Sequence, residues 1–209
     1  MINKLSILLL FFCCMNIHSQ IFEGIFTYSI NYESKSSNIT SDQLNSLMGT
    51  KQWYAIKGGN YKSVFNGDFI KLQIYRNDEN RNYNLTAKSD TLYYEDYSKN
   101  KDKALSYEIK KNQDTIMGIP CDLIIVKTEK SKISYYFNSS YKVNPELFKG
   151  HNYGNWYYIV SKTKTLPLKT VTETEQFIMT SIATEVKPMQ LKDNVFEIQN
   201  KGKIAPAYW

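Results

Sequence analysis

The stretch FEGIFTYSINY, Phe22 to Tyr32, decides the fold class of this chain. Phe22, Gly24, Phe26, Tyr28, Ile30 and Tyr32 alternate with Glu23, Ile25, Thr27, Ser29 and Asn31. Successive side chains of a strand point to opposite faces. Period two, kept across the whole stretch in aromatic and branched residues that suit a pleated surface, therefore predicts a half-buried β-strand.

The residues that follow extend the same pattern. Thr40 with Gln43 three residues on is a capping-box pattern, and Leu44, Leu47 and Met48 stand at helical spacing before Gly49, which predicts a short helix over Ser41 to Met48. Strand signals then recur roughly every eight to twelve residues. Lys51 to Lys57 and Tyr61 to Asn66 flank the turn pair Gly58-Gly59, Asn66-Gly67 supplies the next turn, and Ile70, Leu72 and Ile74 alternate. Tyr83 to Ala87 and Thr91 to Tyr97 read as a further hairpin, and the Lys-rich Ser98 to Lys103 as a loop.

Leu105, Tyr107 and Ile109, then Cys121 to Thr128 and Ile133 to Phe137, continue the series. Asn144-Pro145-Glu146 predicts one helical turn running to Lys149 and closed by Gly150. Trp156 to Lys162, Leu168 to Glu175 and Phe177 to Val186 read as three more strands, and Val195 to Ile198 pairs or docks at the end. About eleven short strands with one or two short helices predict a mainly β protein built on a largely antiparallel sheet, which must curl because flat open sheets of that width are rare. The neighbours Tyr93-Tyr94, Tyr135-Tyr136 and Trp156-Tyr157-Tyr158, read as strand residues, place rings on both faces of it.

Upstream of the first strand, Lys4 precedes an apolar run from Leu5 to Met15, too short for the roughly 20 residues that span a bilayer as a helix. This predicts a secretory signal over residues 1–19, cleaved after Ser19, with one β domain over 20–209. The same segment also admits a lipid anchor at Cys13 or Cys14, or an uncleaved anchor. Losing the signal leaves Cys121 without an intrachain partner, and lowers the 26 Lys and Arg to 25 against 20 Asp and Glu.

Several chemistries are excluded by what the chain lacks. With His151 as the one mature histidine, and neither HExxH nor paired CxxC present, no metal site or cofactor is expected. GxSxG, a phosphate loop and GxGxxG are absent too. Cys121 and His151 are the only thiol and imidazole available for nucleophilic chemistry, but Cys121 follows Pro120 at the start of an apolar strand and reads as a packed small hydrophobe. Glu173 and Glu175 share a strand face as a glycosidase pair would, beside lysines that make a solvated outer face the plainer account. Arg76 and Arg81 are the only arginines and no basic run exceeds two residues, so nucleic acid is not an expected partner and attraction to a membrane surface is weak at most.

The run Asp114-Thr115-Ile116-Met117-Gly118-Ile119-Pro120-Cys121-Asp122 resembles the I-x-G-x-x-C strand start of a bacterial envelope family of unknown function, the GLPGLI-like proteins. F-x-G-x-F-x-Y at Phe22 to Tyr28, Tyr135-Tyr136-Phe137, Leu166-Pro167-Leu168 and Phe196-Glu197-Ile198 occur in the same order as in that family. The literal GLPGLI string is absent, and Tyr135 stands where the family has tryptophan. The resemblance implies a fold similar to the periplasmic lipoprotein carriers: an incomplete antiparallel barrel whose concave apolar face is covered by short helices. It carries no catalytic residue.

From this follow the functional expectations. Phe22, Phe26, Tyr28 and Ile30 line an apolar groove, and the helix bearing Leu44, Leu47 and Met48 covers its mouth. The protein is expected to be non-enzymatic, exported to the periplasm or outer membrane of a Gram-negative bacterium, and to bind or carry a lipid or other amphiphile. A structural or protein-interaction role with an envelope partner is the alternative, and a carbohydrate binder a third class.

Overall fold

β1 (Gly24–Ser34) is the strand predicted from the opening stretch, and the rest of the chain is laid out on either side of it. The computed structural model describes residues 21–198 and 202–209; the signal segment, with Cys13, Cys14 and the cleavage point after Ser19, lies outside the described residues. After α1 (Ser41–Met48), a meander runs outward through β2 (Lys51–Lys57), β3 (Asn60–Phe65), β4 (Ile70–Arg76), β5 (Arg81–Thr86) and β6 (Leu92–Asp96). The chain then restarts at the opposite margin with β7 (Ala104–Ile116) and returns through β8 (Ile119–Thr128), β9 (Lys132–Lys142), α2 (Trp156–Thr163), β10 (Thr165–Glu173) and β11 (Phe177–Pro188). β11 pairs with β1, and a last short strand, β12 (Ile204–Pro206), lies parallel to β6. The result is one open twelve-stranded sheet in the order β12-β6-β5-β4-β3-β2-β1-β11-β10-β9-β8-β7.

The connection from β6 to β7 shows why the sheet is curved. These strands are ten positions apart, which would be about 48 Å across a flat sheet. Residues 97–103 join them, and fully extended they reach only about 28 Å. The margins must therefore swing toward each other, which produces an incomplete barrel.

Local chemistry accounts for most of the element boundaries. Thr40 Oγ1 accepts from Gln43 N–H at 3.2 Å while Gln43 Oε1 accepts from Thr40 N–H at 2.8 Å, so the predicted capping box starts α1. At Gly24, φ is +153° and a Cβ would stand 2.2 Å from the Lys187 carbonyl oxygen, so the glycine of the opening motif lets β11 approach β1. Met117 and Gly118, at φ 51° and 77°, make the two-residue turn between β7 and β8 with both central residues left-handed.

Two features differ from expectation, and a third resolves an alternative. Trp156 to Lys162 is not a strand but the body of α2, burying Ile159, Val160 and Thr163 on one helical stripe. Its aromatic and β-branched composition favours a strand, yet the i, i+3, i+4, i+7 spacing of Trp156, Ile159, Val160 and Thr163 is helical and packing follows it. The rings of Trp156, Tyr157 and Tyr158 are accordingly helix residues. Of the two outcomes expected for the Val195 run, docking is the one found: Val195 lies in a 3₁₀ turn, Asp193–Phe196, with Phe196 buried. The parallel strand β12 has no counterpart among the strands read from sequence.

Candidate ligand-binding site

Register assembles the floor of a cavity from six strands. Directly paired residues of neighbouring strands share a face. Tyr28 stands opposite Gln52 and Gln52 opposite Phe65; Tyr54 stands opposite Ser63 and Ser63 opposite Gln73. On the other side of β1, Ile30 faces Ser181, Tyr32 faces Met179, and Ser181 faces Thr170. All of these residues line one cavity of about 440 Å³, within the range of small-molecule sites.

The opposite wall comes from connections and a helix. Tyr97 follows β6, Tyr153 and Gly154 belong to the turn before α2, and Trp156 begins α2. The Asn152 and Tyr153 N–H groups both donate to the Tyr97 carbonyl, at 2.8 and 3.1 Å, which pins this turn to the end of β6. The Tyr97 and Tyr153 rings stack at 4.5 Å with only 4° between their planes. Tyr61 stacks on Tyr75 at 4.9 Å, and His151 sits among them, 4.6 Å from the centroids of both Tyr75 and Tyr97.

The cavity carries no formal charge. Among the described residues its lining contains no Asp, Glu, Lys or Arg. His151 is buried, and desolvation lowers its pKa from the usual 6.5 to about 3, so the ring is neutral. Its Nε2 shares a 2.8 Å hydrogen bond with the Tyr61 hydroxyl, whose ionisation burial likewise opposes. The Tyr28 hydroxyl donates to the Pro167 carbonyl at 2.8 Å, and burial pushes up its pKa and that of Tyr54. Tyr32 is raised to about 12 for the same reason. Among the described residues, Tyr54 OH, Trp156 Nε1 and His151 Nδ1 are buried without a hydrogen-bond partner.

The residues singled out from sequence take different places. Tyr28, Ile30 and Met48 line the cavity. Phe22 and Phe26 lie in the packed core beside it, with ring centroids 5.0 Å apart and both against Tyr141. Leu44 is buried, whereas Leu47 on the same helix is 40% exposed. Sequence reading did not pick out Gln52, Ser63, Gln73, Thr170, Ser181, Tyr97 or Trp156 as lining residues. Period two places Gln52 and Ser63 on the same faces as Tyr54 and Tyr61, but only the strand order brings them under one roof.

The remaining reactive groups have other partners. Cys121 is fully buried, its thiol pointing to the Ile119 carbonyl at 3.3 Å with its pKa raised by burial, and no hydrogen bond joins it to His151. Lys132 and Lys35, each 2.9 Å from Glu173, hold its pKa down at about 2, as suits a solvated ion pair. Among the described residues no group of three or more His, Cys, Asp or Glu is placed to hold a metal, and no helix is long and apolar enough to cross a membrane.

No family model and no curated protein sequence matches the chain. Among solved structures, it is similar to PNGF-II in space group P21, at 14% identity and a TM-score of 0.47. The overlay covers 89% of this chain and 32% of PNGF-II, so the chain spans about a third of that protein's length. PNGF-II in space group C2 gives 16% identity and a TM-score of 0.42, over 87% of this chain and 31% of the other. An uncharacterized conserved protein from Thermus thermophilus is 7% identical with a TM-score of 0.45, over 88% of this chain and 91% of its own.

Proposed function

We propose that this protein binds an apolar or amphiphilic, lipid-like ligand in the cavity and carries it without chemical change, as an exported envelope protein of the GLPGLI-like type. The observation that carries this reading is the uncharged, ring-lined cavity of about 440 Å³ between the concave face and the Tyr153–Trp156 wall. Burying eight methylenes of an acyl chain there contributes roughly 6 kcal/mol before ordering costs, which reaches the micromolar class in a preformed site.

Displacement of a neutral naphthylamine dye by monolaurin or laurate tests it, with Thr170→Trp as the control. Thr170 is a half-buried lining residue, so the larger side chain fills the cavity from the floor. Saturable displacement that Thr170→Trp abolishes while the protein stays folded supports the reading. Absence of displacement by either compound sinks it.

One observation favours a second reading, an interaction module. Leu105 is 67% and Tyr107 48% exposed on β7, the margin strand whose edge is free among the described residues. An envelope partner adding a strand there would cover both the edge and the apolar side chains.

A further inference from the structure

The orientation of the Gln73 amide in the cavity floor is set by a carboxylate two strands away. Glu95, on β6, accepts from Asn84 Nδ2 at 2.9 Å. A carboxylate only accepts, so this bond fixes which end of the Asn84 amide is nitrogen. The Asn84 oxygen is thereby turned toward Gln73, whose Nε2 donates to it at 2.9 Å. The Gln73 amide is fixed in turn, and its carbonyl oxygen, with no hydrogen-bond partner among the described residues, is left as an acceptor in a lining residue of the cavity. Beside it, Ser63 Oγ accepts from Gln52 Nε2 at 2.9 Å, which leaves the Gln52 carbonyl oxygen as a further acceptor.

Two consequences follow for whatever polar group reaches this floor. A charged group that only accepts, such as a carboxylate or phosphate, would find the unpartnered Tyr54 hydroxyl as a donor but would also meet the Gln73 and Gln52 carbonyl oxygens, with no cation among the described lining residues to offset its desolvation. A hydroxyl can donate to the carbonyl oxygens of Gln73 and Gln52. Glu95 adds a negative charge close by: after burial itself, it is what raises the Tyr153 hydroxyl pKa at the mouth.

We infer that the ligand's polar group is an uncharged, hydroxylated head seated on Gln52, Ser63 and Gln73, with its apolar part against the Tyr97, Tyr153 and Trp156 rings. This rests on the ligand-binding reading above and narrows it to neutral amphiphiles. Glu95 and Asn84 are positioning residues that act through Gln73.

The test compares matched ligands by displacement of the same neutral dye at neutral pH: monolaurin, laurate, and maltose as a free hydroxylated compound. Monolaurin should bind at least about tenfold tighter than laurate, in line with the cost of an unpaired buried charge. Gln73→Met should remove most of that preference by weakening monolaurin alone. Ser63→Ala, a smaller change, serves as a second variant, and thermal melting confirms that both are folded. Glu95→Gln, which lets the Asn84 amide reverse, should reduce the preference without lowering laurate affinity; a merely structural role for Glu95 would weaken both ligands together. Displacement by maltose as well assigns recognition to the hydroxyls alone, and displacement by monolaurin only assigns it to the lipid. Laurate binding as tightly as monolaurin, or a preference that survives Gln73→Met and Ser63→Ala, overturns the inference while leaving the ligand-binding reading in place. Failure of every compound to bind overturns both.

Discussion

His151 is a buried, neutral histidine whose contacts are almost all aromatic. It is 3% exposed, lies against Tyr75 and Tyr97, and its ring is hydrogen-bonded to the Tyr61 hydroxyl. Its pKa falls to about 3 in the fold and is about 6.5 in the unfolded chain. Between those values the unfolded chain binds a proton that the native protein refuses, so the contribution to stability is complete above pH 6.5 and is lost as pH falls toward 3. A shift of that size corresponds to at most roughly 5 kcal/mol. Urea unfolding across this range should show stability falling with pH, and His151→Phe, which keeps a ring in place, should flatten the slope. A slope unchanged in His151→Phe would assign the acid sensitivity to other groups. Glu173 acts in the same direction at lower pH, since its pKa is held near 2 by Lys132 and Lys35 and it loses those partners on protonation.

At the scale of an element, α2 is placed by the residue before it. Asn155 is buried at φ 59°, a left-handed conformation, and its amide ties the helix to the loop between β6 and β7. Its Oδ1 accepts from Ala104 N–H at 3.0 Å and Asn100 Nδ2 at 2.8 Å, while its Nδ2 donates to the Asp102 carbonyl at 2.8 Å. That loop is the short crossing that bends the sheet, so Asn155 joins the cavity wall to the element that sets curvature. Asn155→Ala combines left-handed strain of about 1–2 kcal/mol with buried groups left unpaired, at about 1–3 kcal/mol. Asn155→Gly removes the strain and keeps only the second loss. Chemical denaturation should therefore find the alanine variant less stable than the glycine variant by about 1 kcal/mol, and equal losses would mean that the backbone conformation is not under strain.

For the whole molecule, the open sheet has two margins that are treated differently. β12 covers the free edge of β6, and Tyr208 and Trp209 bring their rings to 5.3 and 5.4 Å from Tyr93, with Trp209 also at 5.8 Å from Phe69. Among the described residues β7 keeps its edge free, with Lys110 and Lys111 along it. Lysines on an edge strand oppose indiscriminate pairing between copies of the same sheet. Deleting residues 203–209 exposes the β6 edge together with Tyr93 and Phe69. Sedimentation velocity should then show more self-association than the full chain at the same concentration, accompanied by a lower melting temperature. Unchanged sedimentation would mean that β12 is dispensable as an edge cover.

What could be read directly from the residues was whatever depends on a few neighbours along the chain. The period-two alternation of Phe22 to Tyr32, the Thr40 and Gln43 capping box and the Gly58-Gly59 turn each act within one element, and each appears where its local chemistry puts it. Trp156 to Thr163 is the case where local signals conflict: aromatic and branched side chains favour a strand, and burial of Ile159 and Val160 selects the helix. The cavity belongs to tertiary structure altogether. Thr170, Ser181, Ile30, Gln52, Ser63 and Gln73 meet only because six strands pair in one register and a short crossing draws the margins together. The same holds for the Glu95, Asn84 and Gln73 relay, which spans three strands. Register over such distances is settled by the packing of complete faces, and no single segment carries that information.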